Sequence, residues 1–226
     1  MNICVIPARG GSKRIPRKNC RYFCGKPIIA WSIVEALQSK LFDKVIVSTD
    51  DKEIADIATF YGAEVPYLRS EKLSGDHVPT YPVILDLINY LLDKELKPQF
   101  ICCLYATSPF TKKSDLLNAY KILRKEKLNS YVFAATSFSF PLQRAIRLDE
   151  NGYSIINDPS FIGERSQDLE KYYHDAGQFY FARLETWLSN KDFFYKGKPL
   201  LIPRWRVEDI DNEEDWIRAE KLFKII

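Results

Sequence analysis

The chain of 226 residues opens with NICVIP at residues 2–7 and continues directly into ARGGSKRIPRKN at residues 8–19. The first segment is short, continuous and apolar, which is typical of a strand buried on both faces. The second segment joins two glycines to a basic cluster, because six basic residues and no acidic one lie between Arg9 and Arg21. A buried strand that ends in a basic glycine loop predicts an anion site at the carboxyl edge of a parallel sheet.

Strand-like and helix-like segments alternate along much of the remaining chain. Short apolar runs rich in Val, Ile, Phe and Tyr predict further strands at residues 44–48, 100–106 and 131–136. Apolar residues at helical spacing predict amphipathic helices at residues 28–38, 51–61, 81–94 and 114–125. This alternation predicts an α/β fold with a mostly parallel sheet and helices on both faces.

Residues 138–171 interrupt this alternation. The stretch FPLQRAIRLDENGYSI predicts two short strands around a turn at residues 149–152, and a polar loop follows. We expect one domain over residues 1–226, with this segment as an excursion from the sheet. The parallel pattern is then expected to resume, with strands at residues 178–182 and 200–202, a short helix at 184–189 and a closing helix at 212–223.

Composition and charge disfavour several classes of protein. The chain is 46% hydrophobic and 28% charged, as ordinary soluble globular domains are, and its 33 basic and 30 acidic residues do not indicate a nucleic-acid-binding protein. The most apolar helix candidate, at residues 83–92, is far shorter than the roughly 20 residues of a membrane span, and no signal-peptide pattern is present. We therefore expect a cytoplasmic protein with no nucleic-acid or membrane partner.

The glycine loop has the chemistry of a polyphosphate site. Gly10 and Gly11 let the backbone approach an anion and turn its N–H groups toward it, and Ser12 adds a hydroxyl donor. The spacing matches neither the Walker nor the dinucleotide fingerprint, and the alternative is a solvated basic turn. The positive charge that three phosphates require is expected from Arg9, Lys13 and Lys18.

A second motif, VEDID at residues 207–211, lies near the carboxyl end. In an extended segment Asp209 and Asp211 point to the same side, while Ile210 points into the core. Two carboxylates that face a phosphate loop suit oxygen ligation of Mg²⁺. The alternative is that Asp211 or Asn212 caps the closing helix, and only the phosphate loop favours the metal interpretation.

Together these motifs resemble those of the CMP-nonulosonate synthetases, the cytidylyltransferases that activate sialic acids and their bacterial analogues. The resemblance spans the chain, from ARGGSKRIPRKN through VSTD at 47–50, RSEKLSGD at 69–76 and TSP at 107–109 to DID at 209–211. It implies a Rossmann-like fold, CTP with Mg²⁺ or a substituting Mn²⁺, and a homodimer whose dimerisation arm is the excursion at 138–171. The implied reaction is attack of the sugar's anomeric hydroxyl on the α-phosphorus of CTP, with loss of pyrophosphate.

The resemblance also implies roles for individual residues. The residues implied to bind CTP are Ala8, Arg9, Gly11, Ser12, Lys13, Lys18, Asn19, Arg69, Asp76 and Thr80. For Asn19, Asp76 and Thr80 the alternative is an ordinary capping role. The implied catalytic residues are Arg9, Lys18, Asp209 and Asp211, the last two as metal ligands. The residues implied to contact the sugar are Tyr105, Arg165, Gln178, Tyr180, Phe193 and Phe194, although aromatic residues at the last three positions more often belong to a core.

The acceptor-side motifs are similar to those of the pseudaminic acid branch of this family. LYATSP at residues 104–109 has Tyr105 where the sialic acid branch commonly has glutamine, and RSQD at 165–168 and YHDAGQFY at 173–180 also look like the pseudaminic acid branch. The implied acceptor is pseudaminic acid, with N-acetylneuraminic acid or another nonulosonic acid as the alternative. A metal-dependent glycosyltransferase and a non-catalytic nucleotide-binding module are the alternatives from other classes.

Overall fold

The computed structural model describes residues 1–126 and 130–225. Its strands are β1 (Asn2–Pro7), β2 (Tyr22–Phe23), β3 (Lys26–Pro27), β4 (Lys44–Ser48), β5 (Phe100–Leu104), β6 (Val132–Ser137), β7 (Ile146–Leu148), β8 (Ser154–Ile156), β9 (Tyr173–Arg183) and β10 (Lys198–Leu201). Its helices are α1 (Ile28–Gln38), α2 (Lys52–Phe60), α3 (Thr80–Asp93), α4 (Lys113–Glu126), α5 (Leu184–Ser189) and α6 (Glu213–Phe223). Their order follows the predicted alternation.

Six strands form the central sheet in the order β10-β6-β9-β5-β1-β4. β1 pairs in parallel with β4 and β5, and β10 pairs in parallel with β6, which confirms the predicted α/β fold with a mostly parallel sheet. β9 runs antiparallel to both β5 and β6, so the expectation that the parallel pattern resumes at residues 178–182 is wrong. A strand buried on both faces has the same apolar composition in either direction, and periodicity therefore carries no information on its direction.

Helices cover both faces of the sheet. Cys4 and Ile6 of β1 lie in one buried cluster with residues of α1 and α4. Ile3 and Val5 of the same strand lie in a second buried cluster with residues of α3. Both faces of β1 are therefore covered, which explains why its sequence is continuously apolar. None of the helices in the described ranges is long and apolar enough to cross a membrane.

The excursion at residues 138–171 includes the predicted hairpin, in which β7 and β8 pair antiparallel as a two-stranded sheet separate from the central sheet. Its turn is held by Asp149, whose Oδ1 accepts hydrogen bonds from the N–H groups of Asn151 and Tyr153. Neither β7 nor β8 contains a buried residue, and Ile146 and Leu148 are 60% and 66% exposed. Dimerisation through this arm stays a prediction.

Candidate active site

The glycine loop begins where β1 ends, at the carboxyl edge of the parallel strands, and packs closely against the segment after β4. The Gly10 N–H donates to Asp50 Oδ1 at 3.0 Å, and a Cβ atom at Gly10 would lie 2.5 Å from Asp51 Oδ2. A side chain at this position would therefore push the loop away from β4. A Cβ atom at Gly11 would meet no atom within 4 Å, so this part of the backbone is open to a ligand.

Two neighbouring pockets beside this loop form the candidate active-site cleft. The first, of about 210 Å³, is lined by predicted CTP-binding residues, namely Ala8, Arg9, Lys18, Asn19, Arg69 and Thr80, and by Tyr105. The second, of about 330 Å³, is lined by Arg9, Ser12, Lys13, Arg14, Lys18, Asn19 and Asp76. Arg9, Lys18 and Asn19 line both. The cleft thus brings together every residue predicted to bind CTP except Gly11, which lies in the loop itself.

Asp76 pairs with two cations of the loop. Its carboxylate lies 2.8 Å from Arg9 Nη1 and 2.5 Å from Lys13 Nζ. The hydrogen bond from Lys13 is the main cause of the lowered pKa of Asp76. The Lys13 side chain is 80% exposed, so an incoming phosphate can compete for it at little cost. Asp76 caps no helix, and the capping alternative is wrong for this residue.

Thr80 joins the nucleotide side of the cleft to the predicted sugar side. It is the first residue of α3, whose N-cap is Pro79 and has no side-chain cap, so the capping alternative is wrong for Thr80 as well. Its Oγ1 lies 2.8 Å from the hydroxyl of Tyr105, within hydrogen-bond distance. Burial raises the pKa of Tyr105 to about 12, which keeps its hydroxyl protonated and able to donate.

Asn19 and Arg69 are buried in the wall of the cleft. Asn19 Nδ2 donates to the Arg9 carbonyl at 2.9 Å, and its amide oxygen accepts no hydrogen bond from the described residues. Arg69 donates from Nη1 to the Ser48 carbonyl at 3.2 Å and lies 4.0 Å from Asp50 Oδ1. Both side chains are therefore fixed by contacts at the ends of strands, and Asn19 keeps a free acceptor for a ligand.

The D-I-D segment lies against the glycine loop, as predicted. Lys18 Nζ donates to the Ile210 carbonyl at 2.7 Å and lies 3.6 Å from Asp211 Oδ1, to which Arg14 Nη2 also donates at 2.8 Å. Ile210 is buried, and Asp209 accepts no hydrogen bond from a described residue. Desolvation and the charge of Asp211 raise the pKa of Asp209, while desolvation lowers the pKa of Lys18.

Helix capping, the alternative role for this segment, belongs to Asn212. Its side chain accepts a hydrogen bond from the Asp215 N–H at 3.0 Å, and the Asp215 carboxylate accepts from the N–H groups of Asp211 and Asn212. This capping box leaves the carboxylates of Asp209 and Asp211 outside the cap. Two such hard oxygen donors fit Mg²⁺, which is commonly held by one or two carboxylates with phosphate and water.

The predicted sugar-binding aromatics form a continuous wall beside Tyr105. The Tyr105 ring meets Tyr180 edge to face at 5.7 Å, and Tyr180 stacks on Phe193 at 4.4 Å. Tyr180 is buried and donates its hydroxyl to Asp175, whereas Phe194 is 53% exposed at the far end of the wall. Burial raises the pKa of Asp175, a residue that sequence analysis did not single out.

Five predicted sugar-binding residues line neither pocket of the cleft, namely Arg165, Gln178, Tyr180, Phe193 and Phe194. Tyr180 belongs to a buried cluster of the core and Phe193 packs against it, as the alternative for these aromatics has it. Gln178 is buried in β9, where its Nε2 donates to the Arg206 carbonyl at 2.7 Å. Arg165 lies in the arm with a side chain that is 73% exposed and pairs with Asp168 at 2.7 Å. Their contact with a sugar stays a prediction.

Two acidic residues beside the loop, Asp50 and Asp51, also escaped the site prediction. They follow the end of β4 after one intervening residue, Thr49, and acidic residues at the carboxyl end of a parallel strand are a usable signal. Asp175 offered no such signal. Its carboxylate accepts a hydrogen bond from Tyr180, and the two residues lie where the pairing of β6 with β9 shifts register, which a local sequence pattern does not encode.

Several known proteins match this chain over nearly its full length. It is 44% identical over 226 residues to the pseudaminic acid cytidylyltransferase of Campylobacter jejuni subsp. jejuni serotype O:2, covering 99% of this chain and 97% of the relative. It is 36% identical over 231 residues to the CMP-N,N'-diacetyllegionaminic acid synthase of Legionella pneumophila, covering 99% and 96%. A solved structure of a CMP:2-keto-3-deoxy-manno-octonic acid synthetase complexed with CTP matches with a TM-score of 0.72 at 16% identity, covering 99% of this chain and 98% of that chain.

The family model described as Cytidylyltransferase matches residues 3–199, a range that includes the glycine loop and most of the sheet. The structural match confirms the Rossmann-like nucleotidyltransferase fold. The family match and the two full-length relatives confirm the resemblance drawn from the motifs, and the chain belongs to the cytidylyltransferase family.

Proposed function

We propose that the protein transfers the CMP group of CTP to pseudaminic acid and releases pyrophosphate. The observation that carries this proposal is the 44% identity, over nearly all of both chains, to a pseudaminic acid cytidylyltransferase. The cleft supports it, because a basic glycine loop faces a carboxylate pair and adjoins an aromatic wall. The second candidate acceptor is N,N'-diacetyllegionaminic acid, on the strength of the Legionella pneumophila relative.

The cations of the loop would bind the triphosphate. Arg9 and Lys13 would exchange their exposed partner Asp76 for phosphate oxygens, and Lys18 would contact the triphosphate from its position near Asp211. As the α-phosphorus is attacked, negative charge grows on the departing pyrophosphate, and fixed cations stabilise that charge. The free amide oxygen of Asn19 suits the amino group of cytosine.

Asp209 and Asp211 would hold Mg²⁺, or Mn²⁺ in its place. When bound, the ion would supply positive charge that neutralises part of the charge of the triphosphate. Lys18 holds the backbone of the pair beside the loop through its bond to the Ile210 carbonyl. Arg14 also pairs with Asp211, and its side chain is 69% exposed, so it can move aside at little cost.

The acceptor would lie along the wall formed by Tyr105, Tyr180, Phe193 and Phe194, with its anomeric hydroxyl toward the loop.

We further propose a homodimer in which the arm at residues 138–171 contacts the second subunit and brings Arg165 to the neighbouring sugar site. Support comes from the exposed apolar side chains of the arm, since monomers rarely expose apolar patches of this kind. They include Phe140, Ile146, Leu148, Tyr153 and Ile162.

The test is pyrophosphate release from CTP and Mg²⁺ with pseudaminic, N,N'-diacetyllegionaminic, N-acetylneuraminic and 3-deoxy-octulosonic acids as separate acceptors. We expect the highest kcat/KM with pseudaminic acid. The matched control, the Asp209→Asn, Asp211→Asn double variant, should release no pyrophosphate with any acceptor. A preference for the legionaminic acid would favour the second candidate. Binding of CTP without release of its pyrophosphate in the presence of any of the four acceptors would contradict the proposed reaction.

A further inference from the structure

Arg17 belongs to the basic loop, yet it lines neither pocket of the cleft. Its guanidinium instead contacts the amino-terminal end of α2. Nη1 donates to Asp51 Oδ2 at 2.5 Å, Nη2 donates to Asp51 Oδ1 at 3.0 Å, and Nη2 also pairs with Glu53. A two-pronged guanidinium–carboxylate contact fixes both the distance and the orientation of its partners.

The backbone at Arg17 is in the left-handed region, with φ of 56°. Residues with a side chain adopt this conformation at an energetic cost, and such positions persist where their surroundings hold them. The Arg17 carbonyl accepts hydrogen bonds from the N–H groups of Cys20 and Arg21 at 2.9 and 3.0 Å. The turn at Arg17 therefore determines where the next residues, Lys18 and Asn19, are placed.

Those two residues line both pockets of the cleft. Lys18 reaches the carbonyl of Ile210 and the carboxylate of Asp211, and Asn19 reaches the Arg9 carbonyl. Within the described part of the chain, neither side chain forms a hydrogen bond or an ion pair with α2. A change in the turn at Arg17 would thus reach the cleft through the positions of Lys18 and Asn19.

Asp51 is a fixed anchor for this contact. It is the N-cap of α2, with its Oδ1 accepting from the Ile54 N–H at 3.0 Å, and its own N–H donates to Thr49 Oγ1 at 3.1 Å. It also lies so close to Gly10 that no side chain fits there. Asp51 therefore contacts the loop near both ends, at Gly10 and at Arg17. The hydrogen bond from Arg17 lowers the pKa of Asp51 and keeps this anchor charged.

We propose that Arg17 is a positioning residue for CTP, which uses its ion pairs with Asp51 and Glu53 to hold the left-handed turn that presents Lys18 and Asn19 to the nucleotide. The proposal rests on the proposed function in one respect, that CTP is the ligand of the cleft. It requires Asp51 and Glu53 to act on CTP through Arg17, although neither lines the cleft.

The experiment measures the Kd of CTP by titration calorimetry with Mg²⁺, and the KM and kcat of pyrophosphate release, for Arg17→Gln, Asp51→Asn and Glu53→Gln. Asparagine at position 51 keeps the helix cap and removes the charge. We expect Arg17→Gln to raise the Kd and KM for CTP on the order of fivefold or more, with a smaller change in kcat. The matched control is Lys52→Gln on the same turn of α2, since the Lys52 side chain is exposed and none of the described residues forms a hydrogen bond or an ion pair with it.

The second readout is the energetic coupling between Arg17 and Asp51 in the binding of CTP. Because Asp51 is proposed to act through Arg17, the Arg17→Gln, Asp51→Asn double variant should bind CTP no more weakly than Arg17→Gln alone. Arg17→Lys should restore part of the affinity. A lowered Tm with an unchanged Kd for CTP, or fully additive losses in the double variant, would overturn the proposal. Wild-type protein that binds CTP but releases no pyrophosphate would contradict the proposed function, while the Kd values would still test the role of Arg17.

Discussion

Arg9 lines both pockets of the cleft, and its side chain is 35% exposed. We expect Arg9→Ala to keep the fold and to lower turnover by roughly 10², since removing one donor aimed at developing charge costs about 3 kcal/mol. Circular dichroism and pyrophosphate release measure the two effects. The control is Arg124→Ala, at an exposed position of α4. A native-like spectrum with nearly wild-type turnover would remove Arg9 from the catalytic residues.

Asp211 and its neighbour Asn212 separate the metal role from the capping role. We expect Asp211→Asn to lower activity and to raise the Mg²⁺ concentration for half-maximal rate, with little change in Tm, because the helix cap is Asn212. Asn212→Ala is the matched control and should lower stability by about 1 kcal/mol while leaving the Mg²⁺ requirement unchanged. Magnesium titrations and thermal unfolding decide between them, and superimposed titration curves for Asp211→Asn and wild type would contradict the metal assignment.

Sequence reasoning placed the loop and the D-I-D pair together, but it could not divide the roles of Asp211 and Asn212. Both residue types cap helices well, so their order along the chain is uninformative and only the hydrogen bonds of Asp215 identify the cap. The contact between Asp76 and Arg9 is equally hidden. It joins residues 67 positions apart, and no local pattern encodes such a distance.

Between elements, one buried ion pair connects α4 to the segment before the D-I-D motif. Arg206 donates to both carboxylate oxygens of Asp115 at 2.7 and 3.0 Å, with side-chain exposures of 9% and 7%. We expect Asp115→Asn to lower the free energy of unfolding by roughly 3 kcal/mol, because it leaves the Arg206 charge buried without a counter-charge. Urea denaturation measures this loss.

The matched control for that pair is Arg218→Ala. Arg218 pairs with Glu208 and Asp215 but has a side chain that is 57% exposed, so we expect a loss below about 1 kcal/mol. Equal losses for Asp115→Asn and Arg218→Ala would show that burial does not determine the contribution of the Asp115–Arg206 pair.

Most helices and strands were predictable because local sequence patterns encode them. The direction of β9 is the exception, because it depends on contacts between distant parts of the chain. The predicted strand at residues 100–106 is observed as Phe100–Leu104, and the predicted helix at 81–94 is observed as Thr80–Asp93. The direction of β9 was not predictable. It depends on the path of residues 138–171, which have little periodicity of their own, and on pairing with β5 and β6 at long range.

At the scale of the whole molecule, the arm is the part of the chain that the single-chain fold leaves unexplained. The strands of its hairpin contain no buried residue, and Phe140 and Tyr153 are 82% and 71% exposed. Long excursions without a core of their own are commonly functional or held by a partner. A second copy of the chain would cover these side chains and place its own arm beside the first cleft.

We therefore expect a dimer by sedimentation and, if the arm completes the neighbouring sugar site, loss of activity in Arg165→Ala. Among the described residues, Arg165 forms an ion pair with Asp168 alone, three residues away, so its substitution should leave Tm nearly unchanged. The matched control is Arg147→Ala in β7 of the same arm. Exchange of Arg165→Ala chains with Asp211→Asn chains then tests whether two subunits share a site.

In that mixture a mixed dimer has one site with an intact Asp211 and an intact Arg165 from different chains, and one site that lacks both. Random exchange of equal amounts makes about half of the dimers mixed, so about a quarter of all sites should recover. Each variant exchanged with itself should stay inactive, and differently tagged chains report the extent of exchange. A monomer in sedimentation, or mixtures that exchange fully and stay inactive, would contradict a shared site and leave Arg165 without a role in sugar binding.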